Sequence, residues 1–160
     1  MGKVALVTGG GRGIGLGISK CLAAEGYDLV VAGVRAEDRV QEALGALRAL
    51  GAGVLYCRAD VSDPEARERV LDATRQRFGR LHLLVNNAGV ALRASAWETQ
   101  LRDFEWLMNI NFWGVVHGCQ AFLPALGRAE RSSTSHSGVR SKPQKSATQS
   151  VALRWTWRRT

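Results

Sequence analysis

Short apolar runs alternate with segments of helical periodicity over the first 127 residues of the chain. The apolar runs lie at 3–8, 28–33, 54–59 and 81–85, and turn-forming residues limit each of them to strand length. Because the runs are almost continuously apolar, they are typical of strands that are buried on both faces of a parallel sheet. The pattern therefore predicts an α/β fold in which helices cover both faces of a doubly wound parallel sheet.

Helical periodicity predicts helices at 14–25, 37–50, 97–108 and 112–126, and a further helix that ends at Phe78. Ser62 and Glu65 have the spacing of a capping box at the start of that further helix, in which Ser62 accepts a hydrogen bond from the Glu65 amide. The apolar residues expected to face the sheet are Ile14, Ile18, Leu22 and Ala23 in the first helix and Val40, Ala43, Leu44, Leu47 and Leu50 in the second.

The character of the chain changes after residue 127. Residues 128–160 contain eleven Ser or Thr, eight Lys or Arg and one acid, so this segment carries a net charge of +7, against +1 for residues 1–127. Its few apolar residues follow no period and would bury too little surface to offset the entropy of ordering the chain. We therefore predict one folded domain at 1–127 and a disordered basic Ser/Thr-rich tail at 128–160.

Composition narrows the class of protein. The 160 residues are 46% hydrophobic and 22% charged, as in globular domains. No apolar run approaches the length of a membrane span, and no secretory signal is apparent, which predicts a cytoplasmic location. The three cysteines, Cys21, Cys57 and Cys119, lack metal-binding spacing, so we expect reduced, buried thiols and no metal site.

A glycine-rich turn lies between the first predicted strand and the first predicted helix. Glycines let the backbone turn sharply and approach a pyrophosphate, and the helix N-terminus offers unpaired N–H groups to the anion. This order of strand, turn and helix is what the phosphate-binding mechanism requires. The candidate cofactor-binding residues of the turn are Gly9, Gly11, Arg12, Gly13, Ile14 and Gly15.

The T-G-x-x-x-G-x-G spacing of this turn resembles the short-chain dehydrogenase/reductase family. Three further motifs follow in the family's order, namely Asp60-Val61, Asn86-Asn87-Ala88-Gly89 and Asn109-Ile110-Asn111 with Gly114. The resemblance covers residues 1–127 and implies a Rossmann fold of which the chain contains the first four to five βα units. It also implies further cofactor-binding residues, namely Asp60, Val61, Asn87, Ala88, Gly89 and Ile110.

The end of the second predicted strand bears on the choice of nicotinamide cofactor. Folds that prefer NAD place an acid there to bind the ribose 2′-hydroxyl, but this chain has Gly33, and the next acid is Glu37. Arg12 and Arg35 could instead face a 2′-phosphate, which suits the planar guanidinium, and the resemblance implies NADP preference for such a pair. We therefore expect NADP rather than NAD. Arg35 could alternatively be a solvated surface charge, since the family often places its basic residue at the position of Val34.

The resemblance implies hydride transfer between a nicotinamide and a carbonyl or alcohol. In the family a Tyr acts as general acid/base, a Lys four residues later lowers its pKa, a Ser positions the substrate and an Asn supports a proton relay. The two tyrosines here, Tyr27 and Tyr56, are followed four residues later by Val31 and Asp60, so no Tyr-x-x-x-Lys exists. Only Asn111 carries over as a catalytic residue, or it is a helix-interior Asn that satisfies backbone groups.

We therefore expect the chain to bind a nicotinamide dinucleotide without turning over a substrate. An alternative is a non-catalytic cofactor-binding or dimerising fragment that modulates a full-length relative, because the helix at 112–126 corresponds to one that usually contributes to the family's subunit interface. A frameshifted or alternatively spliced end would explain the residues after 127. The basic tail with Trp155 and Trp157 also allows nucleic-acid binding, although such a tail is more often simply solvated and we do not expect this partner.

Overall fold

A four-stranded parallel sheet forms the centre of the protein. The computed structural model describes residues 2–95, 97–122 and 124. The sheet has the order β3-β2-β1-β4, with every neighbouring pair parallel. Its strands are β1 (Lys3–Thr8), β2 (Tyr27–Gly33), β3 (Val54–Arg58) and β4 (Leu83–Val85). This arrangement confirms the predicted α/β fold with a parallel sheet.

Five α-helices connect or follow these strands in the described part of the chain. They are α1 (Gly13–Ala24), α2 (Gln41–Ala49), α3 (Pro64–Phe78), α4 (Leu101–Met108) and α5 (Gly114–Phe122). A single 3₁₀ turn, Glu37–Arg39, precedes α2, and a π-helical turn, Asn109–Trp113, joins α4 to α5. The last two predicted helices are therefore one continuous helical segment. The predicted helix end at Leu126 and the tail at 128–160 lie outside the described residues.

The two faces of the sheet pack against different helices. Val4 and Leu6 of β1 pack in one apolar cluster with residues of α3 and α5, including Val70 and Phe122. Ala5, which lies between them on β1, faces the other way and packs with residues of α1 and α2. Full burial of one of the larger side chains, such as Leu6 or Val70, contributes roughly 1.5–3 kcal/mol to the free energy of folding. Helices thus cover both faces of the sheet, as predicted for a doubly wound fold.

The inward face of α1 differs from the prediction. Ala23 is buried as predicted, but the other buried residues are the small Gly15 and Ser19, and Ile14 is 63% exposed. Small residues are required because α1 lies close to the glycine turn, and the Ser19 hydroxyl donates to the Gly10 carbonyl at 3.2 Å. The expectation of buried cysteines was wrong for Cys21, which lies on the outward side of α1 and is exposed.

The start of α3 also differs from the prediction. Asp63, not Ser62, caps the helix, and its Oδ1 accepts from the Glu65 amide at 2.9 Å. The Ser62 hydroxyl instead donates to Asp60 Oδ1 at 2.7 Å, and the Ser62 amide donates to the same atom at 2.9 Å. Because the Ser62 amide and hydroxyl both bind the Asp60 carboxylate, the next residue, Asp63, supplies the helix cap.

None of the helices in the described ranges is long and apolar enough to cross a membrane.

A histidine closes the sheet at the amino-terminal end of β1. The Val4 amide donates to His82 Nδ1 at 2.8 Å, and the His82 amide donates to the Val4 carbonyl at 2.9 Å. Burial, together with the nearby charges of Arg80 and Lys3, lowers the pKa of His82. Because protonated Nδ1 cannot accept a hydrogen bond, the folded state favours the neutral ring.

We predict that this histidine makes stability depend on pH. Its contribution is complete above the unfolded-state pKa of about 6.5 and is lost as the pH falls below that value through the lowered pKa of the folded state. His82→Asn keeps an acceptor atom near the position of Nδ1 but does not titrate. Urea unfolding between pH 7.5 and 5.5 should show a fall in the free energy of unfolding for the wild type that is smaller in His82→Asn. Equal falls in the two proteins would contradict the prediction.

Candidate functional site

A cleft of about 350 Å³ opens at the carboxyl ends of the strands. The strand order changes direction at β1, which pairs with β2 on one side and with β4 on the other. The cleft lies at this switch point, where ligands of open α/β sheets bind. The cleft is lined by nine of the residues predicted from the sequence. These are Gly9, Gly11, Arg12, Arg35, Asp60, Val61, Ala88, Gly89 and Ile110.

The glycine turn leads directly into α1. Gly9 and Gly13 have φ values of 68° and 50°, which favour glycine, and the Gly9 amide is fixed by the Ala32 carbonyl at 2.7 Å. The helix has neither a side-chain cap at Arg12 nor an acidic residue in its first turn. Its first amides therefore lack a partner within the helix and give this end a partial positive charge. These features fit a pyrophosphate at the turn.

Four predicted cofactor-binding residues do not line the cleft: Gly13, Ile14, Gly15 and Asn87. Gly15 instead permits close packing, because a Cβ atom there would lie 2.2 Å from the Gly9 carbonyl oxygen and 2.5 Å from Asn87 Nδ2. The contribution of Gly15 to the site is therefore to let α1 approach the turn.

Thr8 holds the turn to the loop after β4, a role that the sequence analysis missed. Its buried Oγ1 accepts from the amides of Asn87 and Ala88, each at 3.0 Å, and lies 3.3 Å from the Val85 carbonyl to which it can donate. Asn87 Nδ2 donates to the Thr8 carbonyl at 2.9 Å. A Thr at the end of an apolar strand, directly before the glycines, was the available signal. These bonds fix the backbone of Asn87 and bring Ala88 to the cleft.

The opposite wall of the cleft is formed by the residues after β3 and by the π-helical turn. Asp60 and Val61 meet Ile110 there, and Ile110 is almost fully buried. The Asp60 backbone is shaped by its own carboxylate, which accepts both bonds from Ser62. Apolar surface beside a fixed polar loop suits a flat heterocycle such as adenine. Trp106 also lines the cleft and was not predicted.

Arg12 and Arg35 are brought to the same cleft, as predicted. Both are exposed, and neither takes part in an ion pair with any residue that the structure describes. Gly33 leaves room there, since a Cβ atom would meet only the Tyr56 hydroxyl, at 3.7 Å. The Tyr56 hydroxyl donates to the Arg35 carbonyl at 2.7 Å. Tyr56 was not predicted as a site residue.

Asn111 satisfies backbone groups, as one of the two interpretations of the sequence had it, and its partner is Val90. Its Oδ1 accepts from the Val90 amide and its Nδ2 donates to the Val90 carbonyl, both at 2.8 Å. The side chain is exposed rather than helix-buried, because it projects from the π-helical turn toward the segment after Gly89. Asn111 therefore fixes the Asn-Asn-Ala-Gly segment against the helix.

The described residues contain no group of three or more His, Cys, Asp or Glu side chains that could hold a metal ion.

Comparison with known families decides the class of this site. Residues 3–136 match the profile of the family described as short chain dehydrogenase. The chain belongs to the short-chain dehydrogenase family. The match continues past residue 127, so the resemblance is longer than the sequence analysis stated.

Relatives of known structure in this family carry nicotinamide dinucleotides. A short chain dehydrogenase from Burkholderia cenocepacia in complex with NADP is 38% identical, with a TM-score of 0.74 over 78% of this chain and 51% of that one. One from Burkholderia phymatum in complex with NAD is 39% identical, with a TM-score of 0.73 over 78% and 44%. These structures support the fold and leave the choice between the two cofactors open.

The peroxisomal 2,4-dienoyl-CoA reductase of Arabidopsis thaliana is 35% identical to the chain over 154 residues, which are 96% of this chain and 51% of that protein. The chain spans about half the length of the curated relatives that it matches, with shares of 44% to 51% for the first of them.

The contact between α1 and the turn gives a prediction about Gly15. Gly15→Ala should lower the free energy of unfolding by about 1–3 kcal/mol, because its Cβ atom would displace the Gly9 backbone. Gly17→Ala is the matched control: it lies in the same helix with nothing within 4 Å of its Cβ position and should raise stability by up to about 1 kcal/mol. Urea unfolding measures both values. A neutral Gly15→Ala would mean that the two segments are not in contact.

Proposed function

We propose that these 160 residues bind NADP(H) in the cleft beside the glycine turn and do not by themselves transfer hydride. One observation carries the proposal. Arg12 of the glycine turn and Arg35 after β2 line the same cleft, and Gly33 stands at the end of β2 in place of an acid. A 2′-phosphate would meet two cations there and no carboxylate at the strand end.

The remaining parts of the cofactor would be held by the groups already described. The turn amides and the start of α1 would hold the pyrophosphate, while Asp60, Val61 and Ile110 would border the adenine. When bound, the cofactor supplies a nicotinamide ring that can donate or accept a hydride. The segment from Ala88 to Val90, fixed by Thr8 and Asn111, lines the same cleft.

The tyrosines of the chain support a binding role rather than a catalytic one. The Tyr56 hydroxyl is engaged with backbone carbonyls, and burial raises its pKa. A general acid/base needs the opposite shift, toward neutrality. Tyr27 lies at the amino-terminal end of β2, the far edge of the sheet from the cleft. We assign oxidoreduction of a carbonyl or alcohol to the full-length relatives, as the activity that the family resemblance implies. A cytoplasmic location stays a prediction from the sequence.

The direct test is a titration of the full chain with NADPH and NADH, followed by energy transfer from tryptophan, since Trp106 lines the cleft. We expect saturable binding that favours NADPH. Arg35→Ala should weaken NADPH binding by about tenfold, the effect of a lost hydrogen bond to a charged group, and should leave NADH nearly unchanged. Arg48→Ala removes an exposed charge from α2, away from the cleft, and should change neither affinity. NADH binding as tightly as NADPH would refute the assignment.

A second candidate role, association with another copy of the chain, is favoured by the apolar surface of α4 and the π-helical turn. Large side chains there are 43% to 73% exposed around a hollow of about 510 Å³, which Glu105 and Asn109 also line. The apolar residues that line it are Leu101, Phe104, Met108 and Trp113. Contiguous exposed apolar surface of this kind often marks a protein interface. The sequence predicted association through 112–126, and the structure adds α4 to the candidate surface.

We predict that Phe104→Glu shifts the protein toward the monomer, because a carboxylate would be buried in the interface without a partner. Leu50→Glu is the control. Leu50 does not face the sheet as predicted but is exposed to a similar degree as Phe104 (46% against 43%), and it adjoins α2, which packs on the other face of the sheet. Sedimentation equilibrium measures the change. A wild type that is monomeric at high concentration would exclude this role.

A further inference from the structure

Two side chains of β3 contact the backbone where it leaves β2. The Tyr56 hydroxyl lies 2.7 Å from the Arg35 carbonyl oxygen and 3.2 Å from that of Gly33. Arg58 Nε donates to the intervening Val34 carbonyl at 3.2 Å. The single Tyr56 proton goes to the closer Arg35 carbonyl, so side chains of the neighbouring strand hold two consecutive carbonyl groups, those of Val34 and Arg35.

This part of the backbone has little other support. Gly33 is the last residue of β2 to pair with β3, and its carbonyl also accepts from the Ala59 amide at 2.9 Å. Val34 and Arg35 are exposed and lie between β2 and the 3₁₀ turn, beyond the ladder of the sheet. Their hydrogen bonds to Tyr56 and Arg58 are the side-chain contacts that fix where the Arg35 side chain begins.

We propose that Tyr56 and Arg58 are positioning residues that set the preference for NADP(H) over NAD(H) by holding the Gly33–Arg35 backbone in the conformation that presents Arg35 to the 2′-phosphate. The inference rests on the proposed function and names the residues that regulate its selectivity. NAD(H) has a hydroxyl at that position, so its binding does not depend on where the Arg35 guanidinium lies.

The electrostatics of the contact agree with this role. Burial and the negative charge of Glu37 raise the pKa of Tyr56, and the opposing charges of Arg58 and Arg35 only partly offset this, so the hydroxyl stays protonated and can donate. Arg58 thus adds positive charge beside the segment that it holds, which favours a dianionic phosphate over a hydroxyl.

The experiment compares the NADPH and NADH dissociation constants of the full chain with those of Tyr56→Phe. The variant keeps the ring that lines the cleft and loses only the hydroxyl. We expect the Kd for NADPH to rise about three- to tenfold, the usual range for one hydrogen bond, and the Kd for NADH to stay within about twofold. Arg58→Ala should act in the same direction. Tyr27→Phe, which alters the other tyrosine at the far edge of the sheet, should change neither constant.

A double-mutant cycle separates positioning from a general structural effect. If Tyr56 acts through Arg35, Tyr56→Phe should have no further effect on NADPH binding in the Arg35→Ala background. An equal loss of both cofactors in Tyr56→Phe, or a full additional loss in the double variant, would overturn the inference.

The inference and the proposed function fail in different ways. A wild type that binds neither cofactor, or prefers NADH, refutes the proposed function and with it this inference. A wild type that prefers NADPH, together with an unchanged preference in Tyr56→Phe, refutes the inference alone.

Discussion

The close approach of α1 to the glycine turn is the constraint on which the site depends. A side chain at Gly15 would overlap the Gly9 carbonyl, so the helix can begin beside the turn only because this position has no Cβ atom. The approach fixes where the unpaired amides of the first helical turn lie, and Ser19 stabilises it from the next turn of the helix by a bond to Gly10. The positive end of α1, which has no side-chain cap, thereby lies directly after the turn residues Gly9, Gly11 and Arg12 that line the cleft.

A second constraint joins β1 to β4 at the carboxyl edge of the sheet. The Thr8 hydroxyl is fully used, as an acceptor for two amides and as a donor to Val85. Because it is buried, its replacement by an apolar residue would leave those amides without their partner, at a cost of about 1–3 kcal/mol each where water cannot reach them. Farther along the segment after β4, Asn111 makes two hydrogen bonds to the backbone of Val90. Side chains thus bind the backbone on this side of the cleft at both ends of the segment.

The sequence predicted the strands and their parallel pairing, because burial on two faces is a local signal. Glycine spacing indicated the turn residues Gly9, Gly11 and Arg12, whereas Asp60, Val61, Ala88, Gly89 and Ile110 came from the resemblance to the family. The sequence placed Ala23 correctly on the inward face of α1 but also placed the exposed Ile14 there and missed Gly15 and Ser19, since hydrophobic periodicity cannot show that a helix packs on a turn that admits only small residues. It also missed the partners of Asn111 and Tyr56. These bonds connect residues 21 positions apart and depend on how the elements meet, which periodicity does not encode.

The two ends of the cleft are held by different kinds of interaction, and this separates two aspects of recognition. The glycine turn is fixed by the buried contacts of Gly15 and Thr8. Any dinucleotide would bind this turn through its pyrophosphate. The end of β2 is exposed and depends on individual side-chain bonds from Tyr56 and Arg58. Each of those bonds is worth little by itself, so the second region can change without loss of the fold. Under the proposed function, affinity for a dinucleotide and the choice of its 2′-substituent would therefore vary independently on the same sheet.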